Sequence, residues 1–236
     1  MNYVNCNKED LEKEYAALVA EYEEVKGKGL KLNMARGKPG EDQLNLSRPL
    51  LDVINSSTDC ITAHGADCRN YGELAGIDEC KNFFAEIFDV DPSDVMVGGN
   101  SSLNMMFDTI AGFMTKPVVE GCKPWYEVKN RKFLCPAPGY DRHFAITEYF
   151  DFDLIPVPMT ENGPDMDVVE KLVENDDSIK GIWCVPKYSN PLGITFSDET
   201  VKRFAALKPA AKDFRIMWDN AYCVHDVTDT PDELLS

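Results

Sequence analysis

The segment Phe214-Arg215-Ile216-Met217-Trp218-Asp219-Asn220-Ala221-Tyr222 lies near the end of this 236-residue chain and is its most informative stretch. Its first five residues form a mainly apolar run with the length and composition of a buried β-strand. Asp219 follows that run directly, and Tyr222 comes three residues later. A carboxylate and a phenol at the end of a buried strand predict a ligand site at one edge of a sheet.

Short apolar strands alternate with amphipathic helices through most of the chain. The predicted strands cover residues 95–97, 133–135, 154–157, 181–185 and 214–218. The predicted helices cover residues 8–26, 77–88, 103–114, 140–149, 166–173 and 197–207. This alternation is typical of an α/β fold with a largely parallel sheet, in which ligands bind at the carboxyl ends of the strands.

The composition excludes several classes of protein. A net charge of −17, spread along the chain, repels phosphate backbones, so no nucleic-acid partner is expected. No apolar segment approaches the roughly 20 residues that span a bilayer, and no signal peptide is evident, so we expect a cytoplasmic location and no membrane partner. The eight cysteines include no C-x-x-C pair, which favours reduced thiols. Cys223 and His225 lack two further ligands at short spacing, so no metal site is expected.

The first candidate loop is Gly98-Gly99-Asn100-Ser101-Ser102, between a predicted strand and a predicted helix. Small residues let the backbone approach a ligand, and free N–H groups at a helix start attract an anion. The loop matches neither the phosphate-loop nor the dinucleotide-binding fingerprint. Taken alone, it predicts either a phosphate cradle or an ordinary helix cap with a flexible turn.

Two further loops follow predicted strands. Tyr140 directly follows the proline-rich turn Pro136–Gly139. Its ring could stack on a planar heterocycle, or pack on the core. Nearby His143 could tune the partners of such a ring, or be a structural histidine. Asn190 could donate to a ring oxygen, although Asn190-Pro191 is also a common turn and a candidate for a cis bond.

The opening motif fits a pyridine ring in particular. A carboxylate beside a pyridine nitrogen keeps that nitrogen protonated, so that the ring withdraws electrons from a neighbouring carbanion. Tyr222 could then bond a phenolic oxygen of the ring. An unpaired carboxylate is expensive to desolvate at the end of a buried strand, so Asp219 is expected to have a cationic partner. The alternative is an aspartate that caps a turn and a tyrosine on the core.

The order of these motifs resembles a fold type I pyridoxal-phosphate enzyme of the class I/II aminotransferase family. The closest likeness is to the aspartate aminotransferase group with an N-terminal helix followed by L-K-L-N-M-A-R-G-K-P, here residues 30–39. The resemblance runs from about Leu11 to His225. The matching motifs are Tyr71-Gly72, Gly99–Ser102, Tyr140, Asn190-Pro191-Leu192-Gly193 and Asp219–Tyr222.

The resemblance implies a role for each matched residue. Asn100, Ser101 and Ser102 would hold the phosphate of pyridoxal 5′-phosphate, and Tyr140 would stack on its ring. Asn190 and Tyr222 would bond the phenolic oxygen, and Asp219 the ring nitrogen. Tyr71 would reach the phosphate of a neighbouring subunit, and Gly37 would lie against the substrate carboxylate.

The resemblance also implies an architecture and a reaction. Residues 1–48 would form an N-terminal arm and part of a small domain, and residues 49–236 a three-layer α/β/α cofactor domain. The enzyme would be a homodimer that transfers an amino group between an aspartate-like amino acid and a 2-oxo acid.

The family places its Schiff-base lysine a few tens of residues after the Asp-x-x-Tyr motif, and its carboxylate-binding arginine later still. Neither is present before Ser236, and Lys187 and Lys212 do not occupy the expected place. We therefore expect an incomplete domain, a truncated fragment that contains no catalytic residue of its own and needs a complementing C-terminal fragment.

Other functions are compatible with the same motifs. One is a catalytically inactive fragment of this fold that acts as a partner-binding or regulatory module through the surface around Tyr71. Another is a pyridoxal-phosphate lyase or decarboxylase, because the cofactor loops do not select which bond of the substrate breaks. A nucleotide-binding α/β domain that uses the Gly98 loop is disfavoured, because both phosphate-binding fingerprints are absent.

Overall fold

The computed structural model describes residues 3–33, 37–226 and 228–235. The chain divides into two compact units, Met1–Asp59 and Cys60–Ser236. The motif at residues 30–39 is therefore described only in part, because residues 34–36 lie outside the described residues. Within the described ranges, every helix is too short or too polar to cross a membrane.

The first unit is helical. It contains α1 (Lys8–Gly27), α2 (Glu41–Ser47) and a 3₁₀ turn at Arg48–Asp52. Helix α1 confirms the prediction for residues 8–26. It begins at Asn7, whose side-chain oxygen accepts a hydrogen bond from the Asp10 N–H at 2.9 Å and so satisfies one of the free amides of the first turn.

The second unit is built on a five-stranded sheet with the order β3-β2-β1-β4-β5. All neighbouring strands are parallel except β2 and the two-residue β3, which are antiparallel, so the predicted α/β fold with a largely parallel sheet is confirmed. The elements are α3 (Asp78–Phe88), α4 (Ser102–Thr115), β1 (Lys132–Ala137), α5 (Asp141–Tyr149), β2 (Asp153–Thr160), β3 (Gly163–Pro164), α6 (Met166–Asn175), β4 (Ile179–Cys184), α7 (Asp198–Ala205) and β5 (Arg215–Trp218).

Side chains that alternate along the central strands build two separate cores, one on each face of the sheet. Leu134 of β1 packs in the core that contains residues of α6 and α7, whereas its neighbour Phe133 packs in the core that contains residues of α4 and α5. Ile182 and Trp183 of β4 divide in the same way. Because successive strand residues point to opposite faces, this alternation places helices on both sides and produces the three-layer arrangement.

The connections of the sheet reverse direction between β1 and β4. Strand β1 is followed through α5 by β2 on one side, whereas β4 pairs with β1 on its other side and is followed through α7 by β5. The loops that leave β1 and β4 therefore diverge and open a crevice at their carboxyl ends. Tyr140 and Asn190 belong to these two loops.

Close packing between β1, β4 and β5 depends on Gly181. This residue pairs with Phe133 on one side and with Arg215 on the other. A Cβ atom there would lie 2.5 Å from the Phe133 ring and 2.6 Å from the Arg215 carbonyl oxygen. Only glycine fits at this position without a shift of the backbone. Its missing side chain leaves the space that the Phe133 ring occupies against β4.

The predicted strand at residues 95–97 is wrong. These residues form no ladder with any strand in the described parts of the chain, although the Val97 N–H donates to the Ala75 carbonyl at 2.9 Å. Their apolar composition indicated a strand, but a strand also needs a neighbour at its edge. Residues 95–97 are therefore a segment outside the sheet.

A buried ion pair joins the sheet to a loop of the second unit. The Nζ atom of Lys180 in β4 lies 2.8 Å from Oδ1 of Asp213, and both side chains are almost fully buried. The other carboxylate oxygen accepts a hydrogen bond from Nε1 of the buried Trp125 at 2.9 Å. Both oxygens of Asp213 are thus satisfied, as a buried carboxylate requires.

We predict that Asp213→Ala lowers the free energy of unfolding by about 3–5 kcal/mol, because it leaves the Lys180 ammonium buried without its partner. Urea denaturation followed by circular dichroism measures the change. Lys123→Ala is the matched control, because Lys123 and Glu127 form an exposed pair at 3.9 Å. Its expected effect is below about 1 kcal/mol. Equal effects of the two substitutions would contradict this prediction.

Two cysteines are buried within the sheet. Burial raises the pKa of the Cys135 thiol to about 12, and burial also raises the pKa of the Cys184 thiol. A thiol with a raised pKa holds almost no thiolate at neutral pH, and the thiolate is the reactive form.

We predict that Cys135 and Cys184 of the folded protein resist a thiol-specific reagent at pH 7.5, whereas the exposed Cys68 reacts readily. Mass spectrometry after brief labelling identifies the modified residues. Labelling in urea is the control, since unfolding removes the protection. Rapid labelling of Cys184 without denaturant would show that the β4 strand is open to solvent.

Candidate functional site

The main feature of the site is a pair formed by Asp219 and His143. Asp219 follows β5 directly, and its N–H donates to the Cys184 carbonyl of β4 at 2.9 Å. Its Oδ2 atom lies 2.8 Å from Nε2 of His143. Because an ionised carboxylate only accepts hydrogen bonds, the ring nitrogen of His143 is the donor. Asp219 therefore has a hydrogen-bond partner, and the cationic partner expected from the sequence stays a prediction.

Helix α5 and strand β4 fix the position of this histidine. The His143 side chain is 1% exposed, and its ring stacks on Trp183 with centroids 4.6 Å apart and planes inclined by 15°. Trp183 in turn donates from Nε1 to Oγ1 of Thr147, one turn further along α5, at 3.4 Å. These contacts hold the imidazole in one orientation, so the Asp219 carboxylate is held as well.

Tyr140 and Asn190 lie beside the pair, on the two loops that diverge between β1 and β4. The Tyr140 ring meets His143 edge-on, with centroids 5.0 Å apart, at the start of α5. Tyr140, His143 and Asn190 line a cavity of about 20 Å³, which has room for about one water molecule. The Asn190-Pro191 bond is cis, as the sequence suggested.

A larger cleft of about 1200 Å³ is lined by Asp219 but not by His143. Its lining includes Asp219 and Asn220 after β5, and Ser102 at the start of α4. The structure thus brings the predicted carboxylate and one serine of the predicted phosphate loop to the same cleft. Trp183 lines both this cleft and the small cavity, so the two spaces adjoin the same side chain.

The loop before α4 has the geometry of a helix start. Ser101 is the N-cap of α4, and its Oγ accepts a hydrogen bond from the Asn104 N–H at 3.4 Å. Asn100 and Ser102 are exposed. The helix cap considered as an alternative is therefore present, and it leaves the other amides of the first turn directed toward the loop, as an anion site requires.

The segment after Asp219 bends back toward the exit of β4. Lys187 donates to Oδ1 of Asp226 at 2.8 Å and to the Cys223 carbonyl at 3.3 Å. The hydrogen bond to Asp226 raises the pKa of the Lys187 ammonium. This lysine is therefore a structural cation that ties two loops together, which the sequence did not reveal because its partner is 39 residues away.

Three other predicted residues have surroundings of their own. Tyr222 is partly buried, and its ring meets His225 edge-on with centroids 6.0 Å apart. Tyr71 is 96% exposed, so its side chain contacts little of its own chain. Gly37 is exposed and belongs to the first unit.

Known proteins resemble this chain over nearly its whole length. The family model described as aspartate amino-transferase matches residues 6–235. An aspartate aminotransferase of Corynebacterium glutamicum is 45% identical over 214 residues, which are 91% of this chain and 49% of that protein. The chain spans about half the length of the curated relatives it matches.

Solved structures agree with this likeness. An aspartate transaminase from Corynebacterium glutamicum superimposes with a TM-score of 0.87 at 42% identity, over 98% of this chain and 54% of that one. An archaeal alanine:glyoxylate aminotransferase shares the fold alone, with a TM-score of 0.55 at 20% identity, over 86% of this chain and 48% of that one. Since the family model covers residues 6–235, this chain belongs to the aspartate aminotransferase family.

Proposed function

We propose that this chain forms part of a pyridoxal-phosphate-dependent aminotransferase that acts on an aspartate-like amino acid and a 2-oxo acid. The observation that carries the proposal is the 2.8 Å contact between Asp219 and His143, at the carboxyl end of the sheet in a chain of this family. Residues 1–48 would contribute the arm and part of the small domain, and residues 49–236 the cofactor domain. Its expected location is the cytoplasm.

The donor set fits the cofactor chemically. Asp219 is only 15% exposed, carries a negative charge and accepts from His143, so it can hold a proton on a neighbouring pyridine nitrogen. Pyridoxal phosphate, when bound, supplies a ring that withdraws electrons from the substrate Cα. The imidazole of His143 keeps the carboxylate in place and balances its desolvation.

The remaining predicted residues have roles that suit their chemistry. Asn100, Ser101 and Ser102 would bind the phosphate with hydroxyl, amide and backbone N–H groups at the start of α4. Tyr140 would cover one face of the ring, and Asn190 and Tyr222 would donate to its phenolic oxygen. Together these contacts would orient the ring and exclude water from its face.

Two further residues, Tyr71 and Gly37, would act outside the set that binds the ring and its phosphate. The exposed ring of Tyr71 suits a contact with the phosphate held by the second subunit of a homodimer, and Gly37 would leave space for the substrate carboxylate. Lys187 is not proposed as a substitute for the family's catalytic lysine. Its ammonium is held by Asp226, and a protonated amine is not a nucleophile. Amino-group transfer therefore requires a lysine from the complementing part of the enzyme.

We predict that the chain binds 4′-deoxypyridoxine 5′-phosphate and that Asp219→Ala weakens this binding at least about tenfold, or ~1.4 kcal/mol, because the protonated ring nitrogen loses its counter-charge. This analogue lacks the aldehyde, so surface lysines cannot capture it. Equilibrium dialysis measures the dissociation constant. Asp177→Ala, which removes an exposed carboxylate elsewhere, is the matched control and should bind as the unaltered chain does.

The proposal fails if the unaltered chain does not retain the analogue even when the complementing half of the enzyme is supplied. It also fails if Asp219→Ala and Asp177→Ala bind the analogue equally well.

We predict that His143→Phe moves the ultraviolet spectrum of the bound analogue toward that of the form with an unprotonated ring nitrogen. Phenylalanine can keep the stacking on Trp183 but cannot donate to Asp219, so the carboxylate loses its orientation. His64→Phe is the control, since His64 pairs with Asp78 at the surface. A spectrum unchanged by His143→Phe would show that the imidazole has no influence on the bound ring.

A further inference from the structure

Two cysteines face each other across a short hairpin of the second unit. Ile61 and Asp67 form an isolated antiparallel bridge, and Cys60 and Cys68 are the next residues outward on the two sides. The Cys68 N–H donates to the Cys60 carbonyl at 2.8 Å, so these two residues lie directly opposite each other. Side chains of directly opposite residues in an antiparallel pair share one face. We call residues 60–68 the cysteine hairpin.

The spacing of this pair suits a reversible disulfide. Hydrogen-bonded antiparallel pairs have Cα atoms about 5.5 Å apart, within the range of about 4.4–6.8 Å that a disulfide spans. Cβ atoms of directly opposite residues are about 4.5–5.5 Å apart, whereas a relaxed disulfide needs about 3.5–4.5 Å. A small approach of the two sides therefore allows the bond. The strain that remains makes such a bond easy to reduce, which favours a regulatory disulfide over a permanent one.

The turn of the cysteine hairpin holds the two thiols in register. The Thr62 N–H donates to the Ala66 carbonyl at 2.8 Å, and Oγ1 of Thr62 accepts from the Ala66 N–H at 3.0 Å. Gly65 adopts a φ of 86°, which residues with a side chain rarely adopt. The Ala63 N–H donates to Oε1 of Glu79 in α3 at 2.7 Å, which anchors the turn. A hairpin closed in this way raises the effective concentration of one thiol at the other.

The two thiols differ in exposure. Cys68 is exposed, Cys60 is partly buried, and both side chains are thiols in this structure. An oxidant dissolved in water therefore reaches Cys68 first, and Cys60 is positioned to attack the product. Both thiols are more accessible than those of Cys135 and Cys184, which lie buried in the sheet.

We propose that Cys60 and Cys68 form a reversible disulfide in response to a disulfide oxidant, for which oxidised glutathione is the probe. The Cys68 thiolate attacks the glutathione disulfide, which gives a mixed disulfide and releases one glutathione. The Cys60 thiolate then attacks the Cys68 sulfur and displaces the second glutathione. Each cysteine loses one proton and one electron, and the two electrons reduce the glutathione disulfide to two thiols.

The disulfide would restrain the segment that leads to Tyr71. Asp67 lies inside the ring that the bond closes, and its carbonyl accepts from the Asn70 N–H at 2.9 Å. Its carboxylate accepts from Arg69 at 2.8 and 2.6 Å. Oδ1 of Asn70 in turn accepts from the Tyr71 N–H at 2.9 Å. These contacts continue from the ring to Tyr71. The inference goes beyond the proposed function and requires no bound cofactor.

The test exposes the purified chain to oxidised glutathione in the absence of cofactor. The remaining thiols are alkylated, and the denatured protein is digested with an endoproteinase that cleaves before aspartate. Cleavage between Ala66 and Asp67 separates Cys60 from Cys68 unless a disulfide joins them, so mass spectrometry identifies the bond. We expect the joined peptides as the main oxidised product, and dithiothreitol should separate them.

Cys60→Ser tests the order of attack. This variant lacks the thiol that displaces glutathione from Cys68, so the mixed disulfide should be at least about tenfold more abundant than in the unaltered chain. Cys122→Ser is the matched control, because Cys122 is also partly buried and lies outside the cysteine hairpin. It should form the bond between Cys60 and Cys68 as the unaltered chain does.

Gly65→Val tests the contribution of the turn. Valine is strained at a positive φ, so closure of the disulfide should slow by at least about threefold. Gly121→Val is the matched control, since Gly121 has a φ of 83° and, like Gly65, has no atom close to the position of an added Cβ. Circular dichroism checks that each variant folds.

Amide hydrogen exchange measures the restraint on Tyr71. A peptide that contains Asn70 and Tyr71 should exchange at least about threefold more slowly in the oxidised chain, and dithiothreitol should restore the faster rate. A peptide that contains the turn from Val119 to Cys122 is the internal control and should not change.

The proposal is overturned if the unaltered chain retains glutathione on Cys68 as Cys60→Ser does, or if Cys60 pairs with a different cysteine. Equal rates of disulfide closure in Gly65→Val and Gly121→Val would also overturn it. Unchanged exchange at Tyr71 in the oxidised chain would overturn the restraint.

Discussion

The candidate site depends on a partly buried carboxylate and on the group that donates to it. Asp219 stands where β5 ends, and His143 donates a hydrogen bond to its carboxylate at 2.8 Å, which offsets the cost of its partial desolvation. That donor is fixed by stacking on Trp183, which belongs to β4 and packs against Phe133 of β1. The position of one oxygen atom at the rim of the sheet is therefore determined by side chains deep in the core. Through these contacts, the rigid sheet fixes the Asp219 carboxylate at the edge where the loops of the candidate site lie.

Much of the fold could be predicted because its strands and helices have strong local patterns. The runs at residues 133–135 and 214–218 are apolar over the length of a strand, and helix 166–173 has an apolar stripe with a capping residue before it. The run at 95–97 has the same apolar composition but no ladder, because pairing depends on a neighbour distant in sequence. The two-residue β3 gave no signal, since it exists only as the antiparallel return of β2.

The site could be predicted in part for a related reason. Asp219, Tyr140 and Asn190 each follow a strand, and parallel strands bring such residues to one edge. The sequence also indicated that Asp219 needs a partner, and it singled out His143 without deciding between a functional and a structural role. The stacking of His143 on Trp183 and the bond between Lys187 and Asp226 join residues 39 or more positions apart. No local pattern encodes such contacts, so they emerged only from the folded chain.

The stack of Trp183 on His143 has a consequence for how this sequence can diverge. Trp183 contacts Phe133 in the core, donates to Thr147, and supports the imidazole that holds Asp219. Tryptophan has the largest side chain, so every substitution at 183 introduces a smaller residue, and in this fully buried strand it would loosen three neighbours together. Positions 133, 143, 147 and 183 are thus expected to covary among homologues as one unit, with drift at one position tolerated only after compensation at another.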